Sequence, residues 1–282
     1  MRTLKLGSRG EDVRSLQYDL GIKVDGSFGP ATQTAVKVKQ RQLGFVGKEV
    51  DGSVGPATQK RWGLSDFRID VFPKSQVWFA GTPYGAAVKP LKTLATWAKE
   101  ENAALVYNLA WYNMSEKDKY GRTHDEYGVI KGRTLTYLRG KGYDIGYGGP
   151  ADRLIINADN ICSGVKVGIK DGKIQSGLTK TKTTINANGL LRDGSYFHAQ
   201  SVLDSTEQAL VQYINSNYDV SILFIQDGGG SNGKYDADRK VLLAGRMEGV
   251  NGRAVASVVC IGTSVTKPQQ PKICPACGQV IK

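Results

Sequence analysis

One nine-residue pattern occurs twice near the N-terminus. Asp25-Gly26-Ser27-Phe28-Gly29-Pro30-Ala31-Thr32-Gln33 returns as Asp51-Gly52-Ser53-Val54-Gly55-Pro56-Ala57-Thr58-Gln59. Each copy specifies a tight turn followed by the start of a helix. Asp-Gly makes the turn, glycine frees the backbone, and Pro30 or Pro56 fits the first helical turn, where a missing N–H costs nothing. Ahead of the first copy, Val13, Leu16, Gln17 and Leu20 recur at three- and four-residue spacing, the mark of one helical face. Behind it, Ala35, Val36 and Val38 carry a second helix toward Gln42. The pattern predicts a small three-helix module over residues 1–64 with two matching turns.

Leu6-Gly7-Ser8-Arg9-Gly10-Glu11-Asp12-Val13, then Leu16-Gln17, then the two Asp-Gly-x-x-Gly-Pro-x-Thr turns together resemble the peptidoglycan-binding module of many wall hydrolases. The resemblance implies binding to the wall polymer without chemistry. Asp25 and Asp51, one per turn, are its candidate wall contacts.

The chain of 282 residues has room for that module and one further domain of about 200 residues. From about Asp66 the texture changes to short apolar runs between turns. Ile69-Asp70-Val71-Phe72, Gln76-Val77-Trp78-Phe79, Ala104-Leu105-Val106-Tyr107, Leu154-Ile155-Ile156, Val165-Lys166-Val167-Gly168-Ile169 and Ser221-Ile222-Leu223-Phe224-Ile225 read as strands. Helical patterns are confined to residues 90–102 and 204–217. The expected class is α+β, with one sheet system and two helices in the larger domain. The expected division is a module at 1–64, a larger domain at 66–265, and a linker with a Cys-x-x-Cys tail at 266–282.

The most informative segment of the larger domain is Gln226-Asp227-Gly228-Gly229-Gly230-Ser231, which follows an apolar strand. Three glycines let backbone approach a ligand closely, and successive amides can hold an anion; a plain turn is the competing reading. Downstream, Gly252-Arg253-Ala254 leads a final strand through Cys260. Upstream lie Lys182-Thr183-Thr184-Ile185-Asn186, a helix carrying Thr206-Glu207, and Asn108-Leu109-Ala110-Trp111-Tyr112-Asn113 after a strand.

In this order and spacing, residues 70–262 resemble the phosphodiester glycosidase family, with the Asp-Gly-Gly-Gly-Ser segment the most specific piece. Lys182-Thr183 stands where the family usually has Arg-Thr, and the segment from Asn108 to Tyr112 departs from an Asn-Gly-x-Phe-Phe-like pattern. The resemblance implies a substrate site built from Asn108, Lys182, Thr183, Gly228, Gly229, Gly230, Ser231 and Arg253. Glycosyl transfer to water passes through an oxocarbenium-like state that a carboxylate stabilises or attacks, and Asp227 is the first candidate. Glu207 is the second: on a helix beginning near Asp204 it shares a face with Leu203, Leu210 and Ile214, which suits an acid/base role. The pair Asp204 and Glu207 also reads as a helix capping box. A phosphate leaving group needs cations more than a proton, and Lys182 and Arg253 occupy the family's clamp positions. Lys182 reads equally as an exposed strand lysine.

Other residue types narrow the chemistry. The two histidines, His124 and His198, are fewer than a zinc amidase uses. A Cys–His peptidase would need Cys162, which sits among apolar neighbours and reads as core. His198 follows Tyr196-Phe197 and reads as a strand-end histidine or a site residue. Catalysis requires no cofactor on this reading. Cys274 and Cys277 form half a zinc knuckle, so zinc binding would need two chains to pool their tails.

The formal charge of +12 points to a polyanionic partner. Teichoic-acid phosphates fit beside peptidoglycan. Nucleic acid is not expected, since the chain shows no arginine stripe or aromatic RNA-reading motif. No apolar run suggests a membrane span, and Met1-Arg2-Thr3-Leu4-Lys5 lacks a secretory core. The chain is therefore expected to be made in the cytoplasm and to act at the wall, as lytic phage enzymes do; as a whole it resembles a phage endolysin. The leading expectation is a wall-lytic glycosidase, cleaving a glycosidic or a sugar-1-phosphodiester bond. The alternative is a non-catalytic wall-binding or virion structural protein that keeps the fold.

Overall fold

A computed structural model describes residues 1–81, 92–109, 112–113, 126–127, 129–130, 133–134, 137–140, 143–146, 152–226, 228–229, 232–244, 254–255 and 257–262. The chain forms two compact units, the first spanning Met1–Arg68 and the second starting at Ile69. The class is α+β. None of the described helices is long and apolar enough to cross a membrane.

In the first unit the three expected helices are α1 (Glu11–Asp19), α2 (Pro30–Gln42) and α3 (Pro56–Trp62). Leu4, Val13, Leu16, Phe28, Val36, Val54 and Trp62 close one small core. Leu4 and Val54 exchange backbone hydrogen bonds of 3.2 and 2.7 Å, which ties the chain start to the second turn.

Each repeated turn is organised around a buried glutamine. Gln17 Nε2 donates to Asp25 Oδ1 at 2.8 Å, to the Ser27 carbonyl at 3.0 Å and to Thr32 Oγ1 at 3.1 Å. Its Oε1 accepts from the amides of Asp25 and Gly26. Gln40 repeats the scheme on Asp51, Ser53 and Thr58 at 2.9, 3.0 and 3.2 Å, and accepts from the Gly52 amide. The glycine is required here. Gly52 has φ +77, and a Cβ would stand 2.6 Å from Gln33 Cγ. Asp-Gly, Ser and Thr are thus fixed in the repeat because one glutamine satisfies all of them at once.

The second unit stacks two main sheets between two helices. Strands are numbered in chain order. The six-stranded sheet runs β1 (Phe67–Phe72, its first two residues in the first unit), β11 (Tyr196–Ser201), β10 (Asn186–Leu191), β12 (Val220–Gln226), β8 (Lys166–Lys170) and β9 (Lys173–Ile174). The five-stranded sheet runs β14 (Val241–Ala244), β13 (Gly233–Asp236), β3 (Leu105–Asn108), β15 (Ser257–Ile261) and β2 (Val77–Gly81). A four-stranded sheet, β6 (Leu154–Asn157), β7 (Asn160–Cys162), β4 (Tyr137–Gly140) and β5 (Tyr143–Gly146), lies against β2. The expected single sheet system is therefore several sheets. Short apolar runs mark strands, but nothing in them records which strands pair.

Helix α4 (Leu94–Glu101) covers the five-stranded sheet and α5 (Glu207–Asn217) covers the six-stranded one. Both start later than expected. Thr93 caps α4 by accepting from the Thr96 amide, and Thr206 caps α5 by accepting from the Ala209 amide. The Asp204 capping box is not formed, because Ser205 is held extended by paired backbone bonds to Thr183. Leu203 consequently lies outside the helix and is 39% exposed. The final strand starts at Ser257 rather than near Gly252, with Val255 paired instead to Lys92.

Replacing Gln40 with Leu should destabilise the first unit by about 2–3 kcal/mol, since several buried partners lose their bonds together. Hydrogen exchange at residues 1–68 of the full chain reads this directly. Unchanged protection in the second turn would show that the turn holds itself.

Candidate functional site at the strand ends

Alternation along β10 sends Asn186, Asn188 and Leu190 to one face and Ala187, Gly189 and Leu191 to the other. Register partners share a face, so Gln200, Asn186 and Gln226 form one cross-strand row, and His198, Asn188 and Phe224 the next. This face meets the five-stranded sheet: Asn186 Nδ2 donates to the Asn108 carbonyl at 2.7 Å, and the His198 ring lies 4.2 Å from that of Tyr107. The other face carries Leu223 and Ile225 toward Val211 of α5.

The segment after β12 is packed against residues 183–184. Gly229, at φ +60, donates its amide to the Thr184 carbonyl at 2.8 Å, and Thr184 Oγ1 donates back to the Gly229 carbonyl at 2.6 Å. A Cβ on Gly228 would stand 2.4 Å from the Thr184 carbonyl oxygen, so only glycine fits. Asn232 returns the chain to β13, donating its amide to Gly229 and accepting from Gln200 Nε2 at 2.6 Å.

Of the expected site residues, Gly228 and Gly229 therefore pack against Thr183-Thr184, Asn108 is held by Asn186 two residues further on, and exposed Lys182 is next in sequence to Thr183. Asp227, Gly230, Ser231 and Arg253 lie outside the described residues, as do Cys274 and Cys277. Glu207 is placed differently. It faces inward, but its Oε2 accepts from Lys166 Nζ at 2.9 Å and the Thr179 amide at 2.8 Å. Lys166 is the register partner of Ile225, so this pair sits on the α5 side of the sheet, away from the row of Asn186 and Gln226. Asp25 and Asp51 are exposed, and each uses Oδ1 to lock its own turn. The Ser27 amide, and after it Gln17, hold the Asp25 carboxyl below its ordinary pKa.

Sequence reading missed the polar seam between the sheets. Lys234 of β13 reaches Asp70 Oδ2 of β1 at 2.9 Å, and Tyr107 of β3 donates to the same oxygen at 2.9 Å. His198 lies mid-strand and fully buried, its Nδ1 3.1 Å from Tyr196 Oη. Burial pushes its pKa down to about 3; the Asp70 charge opposes this and the Lys234 charge adds to it. Cys162 is core, as expected, and burial pushes its thiol up to about 12, which leaves no thiolate nucleophile at neutral pH. The signal for the seam was present: Asn186-Ala187-Asn188 and His198-Ala199-Gln200 alternate polar and small residues inside strands.

Residues 9–61 match the family model described as "Putative peptidoglycan binding domain". The first unit therefore carries a wall-binding module. No curated protein matches the chain. Among solved structures, the chain is similar to the catalytic domain of zebrafish N-acetylglucosamine-1-phosphodiester alpha-N-acetylglucosaminidase, auto-inhibited by its pro-peptide. The identity is 13%, the coverage 71% of this chain and 84% of that one, and the TM-score 0.45. It is also similar to a hypothetical protein from Synechocystis, at 10% identity, 69% and 56% coverage, and a TM-score of 0.39.

Two outcomes follow from this geometry. His198 stays neutral when folded but takes a proton when unfolded, so its contribution is complete above pH 6.5 and is lost as pH falls toward 3. Denaturant stability of His198→Asn should therefore fall less steeply across that window, by about 1 kcal/mol per pH unit; parallel slopes would contradict the assignment. Glu207→Gln should lower stability by about 1–2 kcal/mol through the lost Lys166 and Thr179 contacts. The loss should appear as a lower denaturation midpoint, and an unchanged midpoint would contradict the Lys166–Glu207 pairing.

Proposed function

We propose that the chain is a wall-directed glycosidase. The first unit holds peptidoglycan, and the strand-end site of the second hydrolyses a glycosidic or sugar-1-phosphodiester bond in the bacterial wall. The match of residues 9–61 to a peptidoglycan-binding family carries the wall assignment. The chemistry is supported by the resemblance of the Asp227 to Ser231 segment to phosphodiester glycosidases, and by the packing of Gly228 and Gly229 against Thr183-Thr184, two residues before Asn186, which holds Asn108. Thr184 fills the Cβ side of Gly228, whereas Gly229 has only Thr183 Oγ1 near its Cβ position, at 3.8 Å, so Gly229 is where a sugar can approach backbone closely.

On this reading Asp227 stabilises or attacks the oxocarbenium-like centre, while Lys182 and Arg253 neutralise a departing phosphate. Teichoic acid is then a second wall polymer within reach of a basic chain. Asp227→Asn should abolish turnover while wall pelleting and circular dichroism stay unchanged. Arg253→Ala should cost about a hundredfold, roughly 3 kcal/mol, on a sugar phosphodiester and little on a neutral glycoside. A fully active, folded Asp227→Asn chain would remove the site. A wild-type chain that pellets with walls but cleaves neither substrate class would leave a non-catalytic wall-binding or virion structural protein.

A further inference from the structure

Two neighbouring side chains at the strand ends carry oxygens that are buried and bare. Asn186 Oδ1 and Gln226 Oε1 have no hydrogen-bond partner among the described residues, and the two residues are register partners on β10 and β12. Their orientation is fixed by what their nitrogens do. Asn186 Nδ2 is committed to the Asn108 carbonyl; Gln226 Nε2 is committed to Asn188 Oδ1 at 2.8 Å and the Ser163 carbonyl at 3.3 Å. Turning either amide over would set oxygen against a carbonyl oxygen, so both oxygens are acceptors.

A bare buried acceptor is costly, and an apolar side chain of similar volume would avoid the cost. The pair also stands where the site is: Gln226 directly precedes Asp227, and Asn186 is two residues from Thr184, which holds Gly229. We propose that Asn186 and Gln226 are a specificity-determining pair that accepts hydrogen bonds from the hydroxyl or acetamido N–H groups of a neutral sugar residue. This rests on the reading above, that a sugar occupies the strand ends. Two bare acceptors on paired strands disfavour phosphate oxygens, so the pair reads the sugar side of the scissile bond. Both oxygens are closed to solvent, so a donor reaches them only when their surroundings shift, and their amide signals report that event.

The test uses the side-chain amide resonances of Asn186 and Gln226 in the full chain, assigned with Asn186→Leu and Gln226→Met. N-acetylglucosamine and inorganic phosphate are titrated separately. Both signals should move with the sugar and stay still with phosphate. Gln226→Met should weaken the sugar response of backbone amides in Asn186–Leu191 about tenfold, the worth of one such bond. Signals unmoved by sugar, or moved equally by phosphate, overturn the proposal. So does a Gln226→Met chain that melts earlier yet binds sugar as wild type does, since that marks a structural role. Wall hydrolysis with both signals unmoved would remove the pair and keep the glycosidase. Intact walls with sugar-dependent shifts would keep the pair and remove the glycosidase.

Discussion

The buried ion pair between Asp70 and Lys234 is the constraint on which the second unit's geometry depends. One partner lies on an outer strand of the six-stranded sheet and the other on the facing sheet, 2.9 Å apart and nearly closed to solvent. Tyr107 donates to the same carboxylate oxygen. Losing one partner would leave a buried, unmatched charge at a cost of about 3–5 kcal/mol, whereas replacing both with apolar residues is often close to neutral. Its physical role is therefore register more than stability. It forms in the same arrangement of the two sheets in which the Asn108 carbonyl meets Asn186 and the Tyr107 ring lies over His198.

That register decides what the strand ends present. With the sheets fixed, the polar row of Gln200, Asn186 and Gln226 ends beside residues that hold the glycine segment down. Gly228 leaves no room for a side chain against Thr184, and Asn232 donates to the carbonyls of Ile185, just before β10, and Ser201, at the end of β11. The result is an end of the sandwich rich in amide groups, continuous with the buried polar seam of Asp70, Lys234 and His198.

The first unit was largely legible, because a repeated turn and helical spacing are local properties of the chain. What escaped was the reason for the repeat. Gln17 read as one more member of a helical face, and only the fold shows it and Gln40 reaching across to Asp25, Thr32, Asp51 and Thr58. In the second unit strand positions were legible from apolar runs, whereas pairing across long separations was not. Asp70 and Lys234 are far apart in sequence, and no local pattern joins them. Glu207 shows the converse limit. Its inward orientation was readable from helical spacing, but its partners Lys166 and Thr179 sit on the helix side of a sheet whose order the sequence does not record.

The proposed chemistry is that the wall-bound chain cuts at a sugar's anomeric carbon. The direct measurement is the identity of the new chain ends appearing in purified bacterial walls incubated with the full-length protein. Cleavage at that carbon should give new sugar reducing ends, accompanied by phosphate monoester ends if the bond is a sugar-1-phosphodiester. Walls that bind the chain yet gain only new amino-group ends would contradict it, because such ends come from cutting the peptide and not the glycan.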